Sequence, residues 1–223
     1  MTRLIRCATT ITVLIVTLLG CRTAGSDLYW ISKSGATPPL AEFMAWKRDS
    51  KLFQAIAAYA IQDVPISDGG RSENERIARL AGDFWSLAAV QPTLGRLLHP
   101  NDSKTVVLSF ALFQRSFAAD PAVLGREVSI NGERFTVVGV LPRTFSFLFP
   151  QLLAAGAQER PVDAYLSATD SQTSMAVVGT LAPGVRPMQA EAELRLLSAR
   201  AGKDTATIHV TPLKRSFSGG YKP

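Results

Sequence analysis

Apolar and polar residues recur along this chain with a period that changes several times, and each change marks an element. After an uncharged N-terminal run, residues 27–33 are short and apolar enough to read as a strand. The turn-forming stretch Ser34-Gly35-Ala36-Thr37-Pro38-Pro39 then leads into a helix, because a proline's missing N–H costs nothing in a first helical turn. Leu40, Phe43, Met44 and Lys47 fall on one face of that helix with Trp46 beside them, and the pattern breaks near Asp49-Ser50. Phe53 and Ile56 continue the apolar pattern and residues 57–66 read as extended. Asp68-Gly69-Gly70 reads as a hairpin turn into a strand over residues 72–80. The result is a strand–helix–strand unit.

From residue 80 to residue 142 a helical segment, a buried strand, a second helix and a hairpin succeed one another with almost no filler. The hairpin is the firmest local signal, since Asn131-Gly132 supplies the two positive-φ residues that a type I′ turn requires. Phe110, Phe113 and Phe117 stand at helical spacing and read as core rather than as a ligand cage. Phe145, Phe147 and Phe149 alternate ahead of Pro150, which suits a half-buried strand or loop anchor, and residues 151–161 read as a linker. Residues 175–181 then read as a buried strand, Ala182-Pro183-Gly184 as a turn, and the stretch from Arg186 or Pro187 to Arg200 as a helix. In that helix Met188, Ala192, Leu196 and Ala199 recur at helical spacing, Glu191 and Arg195 form an i,i+4 pair, and Gly202 supplies a stop. Residues 207–211 alternate Ile208 and Val210 with polar neighbours, closing a second strand–helix–strand unit.

The N-terminal run changes the picture from a plain globular chain to an exported one. Arg3 and Arg6 precede the uncharged stretch from Cys7 to Gly20, and Arg22 closes it. A spanning helix needs about 20 apolar residues, and this run offers only about 15, which suits a signal segment. Leu18-Leu19-Gly20-Cys21 also resembles a bacterial lipobox, making Cys21 a candidate lipidation site. A short retained membrane helix, with Arg3 and Arg6 inside and Arg22 outside, fits the same residues. Either reading makes residues 1–22 a signal peptide or membrane anchor and places the remainder of the chain outside the cytoplasm.

Composition adds bounds. With 223 residues, 47% hydrophobic and 19% charged, the chain can bury a proper core. The net charge of +6 is mild and its basic residues are scattered, so nucleic acid is not an expected partner. Cys7 and Cys21 are its two cysteines, so the body holds no cysteine nucleophile and no cysteine-based metal site. The two histidines, His99 and His209, accompany no Gly-x-Ser-x-Gly elbow, and Asp63, Asp68, Glu73 and Glu75 read as solvated residues of a hairpin. No phosphate-binding Gly-x-x-x-x-Gly-Lys-Ser/Thr loop is present, so any coupling to ATP falls to a partner. Neither catalytic residues, nor metal ligands, nor a cofactor are expected.

Several motifs in one order carry a resemblance. Gly82-Asp83-Phe84-Trp85 is succeeded by Pro92-Thr93-Leu94-Gly95-Arg96, by Leu108-Ser109 and Gln114-Arg115-Ser116-Phe117, and by Asp120-Pro121-Ala122-Val123-Leu124-Gly125-Arg126. The Asn-Gly hairpin ending in Val138-Gly139-Val140-Leu141-Pro142 completes the set. In this the chain resembles the MacB-like periplasmic core domain of FtsX-like ABC transporter permeases, a domain carried between the first two membrane helices.

The resemblance implies an α+β fold. A porter-like subdomain would be built from residues 27–66 and 163–213, an inserted, mostly-β subdomain would span residues 70–160, and a flexible tail would occupy residues 214–223. It also implies a chain held at the inner membrane with its bulk in the periplasm. There it would transmit conformational change or dock partners: a full permease, an ATP-binding subunit or periplasmic proteins. A membrane-anchored lipoprotein binding module is the alternative. The chain ends where family members enter their second membrane helix, which makes it read as a fragment or truncated product on one view and as a stand-alone domain on the other.

Overall fold

Strict alternation in the long second strand sets the architecture, because Ile56 and Ala58 point to one face while Ala57 and Tyr59 point to the other, and all four are buried. A strand buried on both sides must be covered on both sides. The computed structural model describes residues 27–33, 37–68, 72–100, 102–145, 160–202 and 207–213. The first half of the chain supplies β1 (Leu28–Lys33), α1 (Leu40–Asp49), β2 (Phe53–Ser67), β3 (Ser72–Gly82), α2 (Phe84–Ala88), β4 (Leu94–Gly95), β5 (Thr105–Leu108) and α3 (Phe110–Phe117). The second half supplies a 3₁₀ turn over Pro121–Val123, β6 (Glu127–Ile130), β7 (Glu133–Val140), β8 (Ala164–Ser167), β9 (Ala176–Leu181), α4 (Pro187–Arg200) and β10 (Ile208–Leu213).

The strands form one mixed, 10-stranded sheet in the order β10-β1-β9-β2-β3-β8-β5-β7-β4, with β6 pairing both β2 and β7. β9 is antiparallel to both β1 and β2, so those two run parallel with β9 between them. In the same way β1 separates β9 from β10. Each crossover carries a helix, as a parallel connection requires. Both α1 and α4 lie on one face, over Ile31, Ile56, Ala58, Met175, Val177, Ile208 and Val210. Further along the same face α3 covers Val64, Ile66, Ile77, Val106, Leu108, Ala164 and Leu166. The opposite face packs Ala57, Tyr59, Ala78, Val107, Tyr165 and Val178 under Phe84 and Leu98.

Local chemistry explains the turns that the sequence motifs mark. Gly82 has φ +73°, and a Cβ there would sit 2.5 Å from the Ile56 carbonyl oxygen. Beside it Asp83 N–H donates to that carbonyl at 2.9 Å while the Asp83 carboxylate accepts from Ile56 N–H at 3.2 Å, which pins the end of β3 to the start of β2. The Ser109 hydroxyl accepts from Leu112 N–H at 3.1 Å and so caps α3. Asn131 and Gly132 take φ of 50° and 80°, as a type I′ hairpin demands.

Three expectations need correction. In α1 the buried residues are Leu40, Glu42, Phe43 and Trp46, while Met44 is 48% exposed. Glu42 can be inside because Lys33 and Ser198 satisfy it at 3.2 and 2.7 Å. In α4 the apolar stripe of Met188 and Leu196 faces outward, and Ala190, Leu194 and Leu197 face the sheet. Both stripes have helical period, and Ser198 decides between them because its hydroxyl must reach Trp46 and Glu42. Glu191 does not ion-pair with Arg195; its carboxylate accepts from Val210 N–H at 2.9 Å. The short strand β8 gives no sequence signal. Residues 1–26, which hold the signal or anchor and Cys21, lie outside the described residues, as do 146–159 and 214–223. No helix among the described residues is long and apolar enough to cross a membrane.

Candidate functional site

Alternation along β3 places Glu75 on the same side as Ile77, facing the helix-covered core rather than water. Glu75 is 5% exposed, so its reading as a solvated hairpin residue is corrected. Arg115, projecting from α3 with its side chain 46% exposed, meets it at 2.7 Å. The same guanidinium nitrogen lies 3.3 Å from Asp163, which precedes β8 and is also 5% exposed. Two buried carboxylates therefore share one half-exposed cation. The backbone locks Asp163 in place: its N–H donates to the Arg76 carbonyl at 2.7 Å, its side chain accepts from Arg76 N–H at 3.2 Å, and its carbonyl accepts from Ser109 N–H at 2.8 Å.

A second ion pair borders the first. Arg76 donates to Asp63 at 3.1 Å and to the Arg160 carbonyl at 3.2 Å, and Arg160 stands 3.9 Å from Asp63. Two cavities of about 280 Å³ share Glu73, Glu75 and Arg115 in their walls. One is also lined by Ile66, Leu112 and Phe117, and the other by Asn74, Arg160 and Pro161.

Burial pushes the Glu75 carboxyl above the usual carboxylate range; the Arg115 hydrogen bond opposes this and the neighbouring Asp163 charge reinforces it. Burial, helped by the Asp163 charge, also raises the Tyr165 phenol. The cluster therefore ties α3 to β3 and to the approach to β8, and burial favours a proton on Glu75. It offers no nucleophile and no oxyanion donor set.

His99 and His209 are both exposed, one in a loop and one on β10, and the structure does not bring either to this cluster. Among the described residues no group of three or more His, Cys, Asp or Glu side chains is arranged to hold a metal. Sequence reasoning passes over Glu75, Arg115 and Asp163. The signal available to it is an acidic residue two positions from Ile77, in phase with the buried side of an alternating strand.

Solved extracytoplasmic domains share this fold, among them two from transporters. The periplasmic region of MacB from Actinobacillus actinomycetemcomitans superposes with a TM-score of 0.63 at 16% identity, covering 87% of this chain and 92% of that one. The extracellular domain of the noncanonic ABC-type transporter YknZ from Gram-positive bacteria gives 0.63 at 14% identity, covering 83% of this chain and 100% of that one. No curated protein matches. The MacB-like periplasmic core domain family matches residues 8–197, and the chain belongs to that family.

Proposed function

We propose that this chain is the extracytoplasmic core domain of an ABC-transporter-type permease, held at the inner membrane, which transmits conformational change or docks partner proteins and carries out no catalysis itself. One observation carries the reading: Leu28 at the start of β1 pairs with Leu213 at the end of β10. Cα atoms facing each other across an antiparallel pair lie about 5 Å apart, so the chain enters and leaves the domain at one point. A domain inserted between two membrane helices needs this geometry.

The division into a porter-like part (27–66 and 163–213) and an inserted part (70–160) belongs to the same proposal. It draws support from the interleaving of β10, β1, β9 and β2 at one end of the sheet. β2 extends from that end for 15 residues, roughly 50 Å of paired backbone, which is a stiff connection to the far end. The partners would be an ATP-binding subunit and membrane-embedded permease segments. The alternative, a lipoprotein binding module, is favoured by Leu18-Leu19-Gly20-Cys21.

Protease treatment of intact spheroplasts tests the placement, and mild detergent extraction tests the partnership. The proposal expects the body of the chain to be digested from outside and an ATP-binding protein to co-purify from the membrane. A chain protected inside the cytoplasm overturns it.

A further inference from the structure

The edge at which the chain enters and leaves carries more than two strand ends. β9 finishes there at Leu181, opposite Phe53 at the start of β2, and residues 182–186 turn from it into α4. The α1–β2 connection lies alongside: Lys51 N–H donates to Glu193 at 3.1 Å and Ala182 N–H donates to the Leu52 carbonyl at 2.9 Å. One rim thus presents Lys51, the Pro183-Gly184 tip, Arg186 and Met188, and Met188 is 78% exposed in the first turn of α4.

The charges on this rim divide into satisfied and unsatisfied. Lys47 pairs with Asp83, Arg48 pairs with Asp49, and Glu193 accepts from the Ser50 hydroxyl and from Lys51 N–H. Asp27 is exposed. Lys51 and Arg186 are exposed and form no ion pair among the described residues. Among the described residues of the rim, the cations without an ion pair, Lys51 and Arg186, outnumber the exposed acid Asp27; along the sequence Arg22 precedes β1 and Lys214-Arg215 follow β10.

The tether is short. From Gly20, the end of the apolar run, to Leu28 is a reach of about 28 Å at full extension, and from Cys21 about 25 Å. A retained helix and a lipidated cysteine therefore both hold the rim within reach of the headgroup layer.

We infer that this rim rests on the bilayer that holds the anchor, with Lys51 and Arg186 against the phosphates of anionic phospholipids and Met188 in the interfacial layer. The inference depends on the membrane-anchored placement proposed above. Basic groups at an anionic surface are drawn to it over a Debye length, so the contact weakens with salt. An exposed, flexible thioether side chain suits the disordered interface.

The test uses the full chain reconstituted in phosphatidylcholine nanodiscs with or without phosphatidylglycerol. In separate variants Met188 or Ala201 is replaced by the photoreactive benzoylphenylalanine. Ala201 lies at the far end of α4, about 20 Å away. After illumination, mass spectrometry detects phospholipid adducts.

The expected result is an adduct at position 188, several-fold stronger with phosphatidylglycerol, near background at position 201, and lost in the Lys51→Glu, Arg186→Glu double variant or in high salt. A disc-bound chain with no lipid adduct at 188, with equal adducts at both positions, or with adducts indifferent to phosphatidylglycerol overturns this inference alone. A chain that never enters the discs overturns the anchored placement as well.

Discussion

Trp46 donates its indole N–H to the Ser198 hydroxyl at 2.9 Å, and that hydroxyl donates onward to Glu42 at 2.7 Å. Lys33 completes the chain by pairing with Glu42 at 3.2 Å, so α1, α4 and β1 are joined through four side chains at the centre of a face that is otherwise apolar. Buried polar groups are tolerable when each is satisfied, and costly when one partner is withdrawn. Ser198→Ala leaves the Trp46 N–H without an acceptor and strips a donor from Glu42. It should lower unfolding stability by about 1–3 kcal/mol, read as a drop in urea midpoint at constant slope. An unchanged midpoint would mean that the network contributes nothing.

Glu75 predicts a pH dependence with a defined sign. Its folded-state carboxyl titrates above the ordinary value of 4.5, so below 4.5 both folded and unfolded chains are protonated there and its contribution is fully present. As pH rises from that point through the elevated value, the unfolded chain releases its proton first and stability falls. Above the elevated value the loss is constant. Glu75→Gln keeps an acceptor for Arg115 and removes the titration. The variant should therefore gain stability relative to the parent as pH climbs through the weakly acidic range, measured by urea unfolding at a series of pH values. A difference that stays flat with pH would show that folding does not raise the Glu75 carboxyl.

How much of this is legible in the sequence depends on the physics of each signal. The Asn131-Gly132 hairpin, the cap at Gly202 and the helix over Phe110–Phe117 are readable because turn chemistry and helical period are local. The outward face of α4 is misread because two apolar stripes share one period, and the tie is broken by hydrogen bonds from residues more than 150 positions away in sequence. β8 escapes for a similar reason. Its four residues, Ala164–Ser167, take their structure from β3 on one side and β5 on the other. The Glu75–Arg115–Asp163 cluster joins β3, α3 and the approach to β8, and no window along the chain holds all three.

Among the described glycines, Gly139 leaves the least room for a Cβ. A Cβ at that position would stand 2.0 Å from the Arg96 carbonyl oxygen, and the ladder between β4 and β7 prevents retreat because Arg96 N–H donates to the Val138 carbonyl at 2.9 Å. Gly139→Ala should therefore cost about 1–3 kcal/mol or more by overpacking, and the loss should appear as exchange of the Arg96 amide in hydrogen-exchange measurements. Retained protection at Arg96 would show that the strand can shift to make room.

The histidines supply a test of the non-enzymatic reading. His99 is exposed, and the contact its residue makes with Asp102, at 2.9 Å, runs through the backbone N–H and survives substitution. His209 is exposed on β10. The double variant His99→Ala, His209→Ala should change stability by no more than about 0.5 kcal/mol and should complement a deletion of the gene as well as the parent does. A folded double variant that fails to complement would restore catalysis to consideration.

Cys21 separates the two kinds of anchor. In a permease-type chain the apolar run from Cys7 to Gly20 remains as a membrane helix and Cys21 is a bystander, so Cys21→Ser leaves membrane association unchanged. In a lipoprotein the thiol at Cys21 receives the acyl chains, the run is removed, and Cys21→Ser abolishes both lipid attachment and membrane retention. The permease reading expects mass spectrometry of the membrane-extracted chain to return an N-terminus at Met1, no incorporation of labelled fatty acid, and the same distribution between membrane and soluble fractions for parent and variant. Labelled fatty acid on the parent, lost in the variant together with sedimentation at the membrane, would transfer the chain to the lipoprotein reading. The interfacial placement of Lys51, Arg186 and Met188 would stand in that case too, since the tether from Cys21 to Leu28 is the shorter of the two.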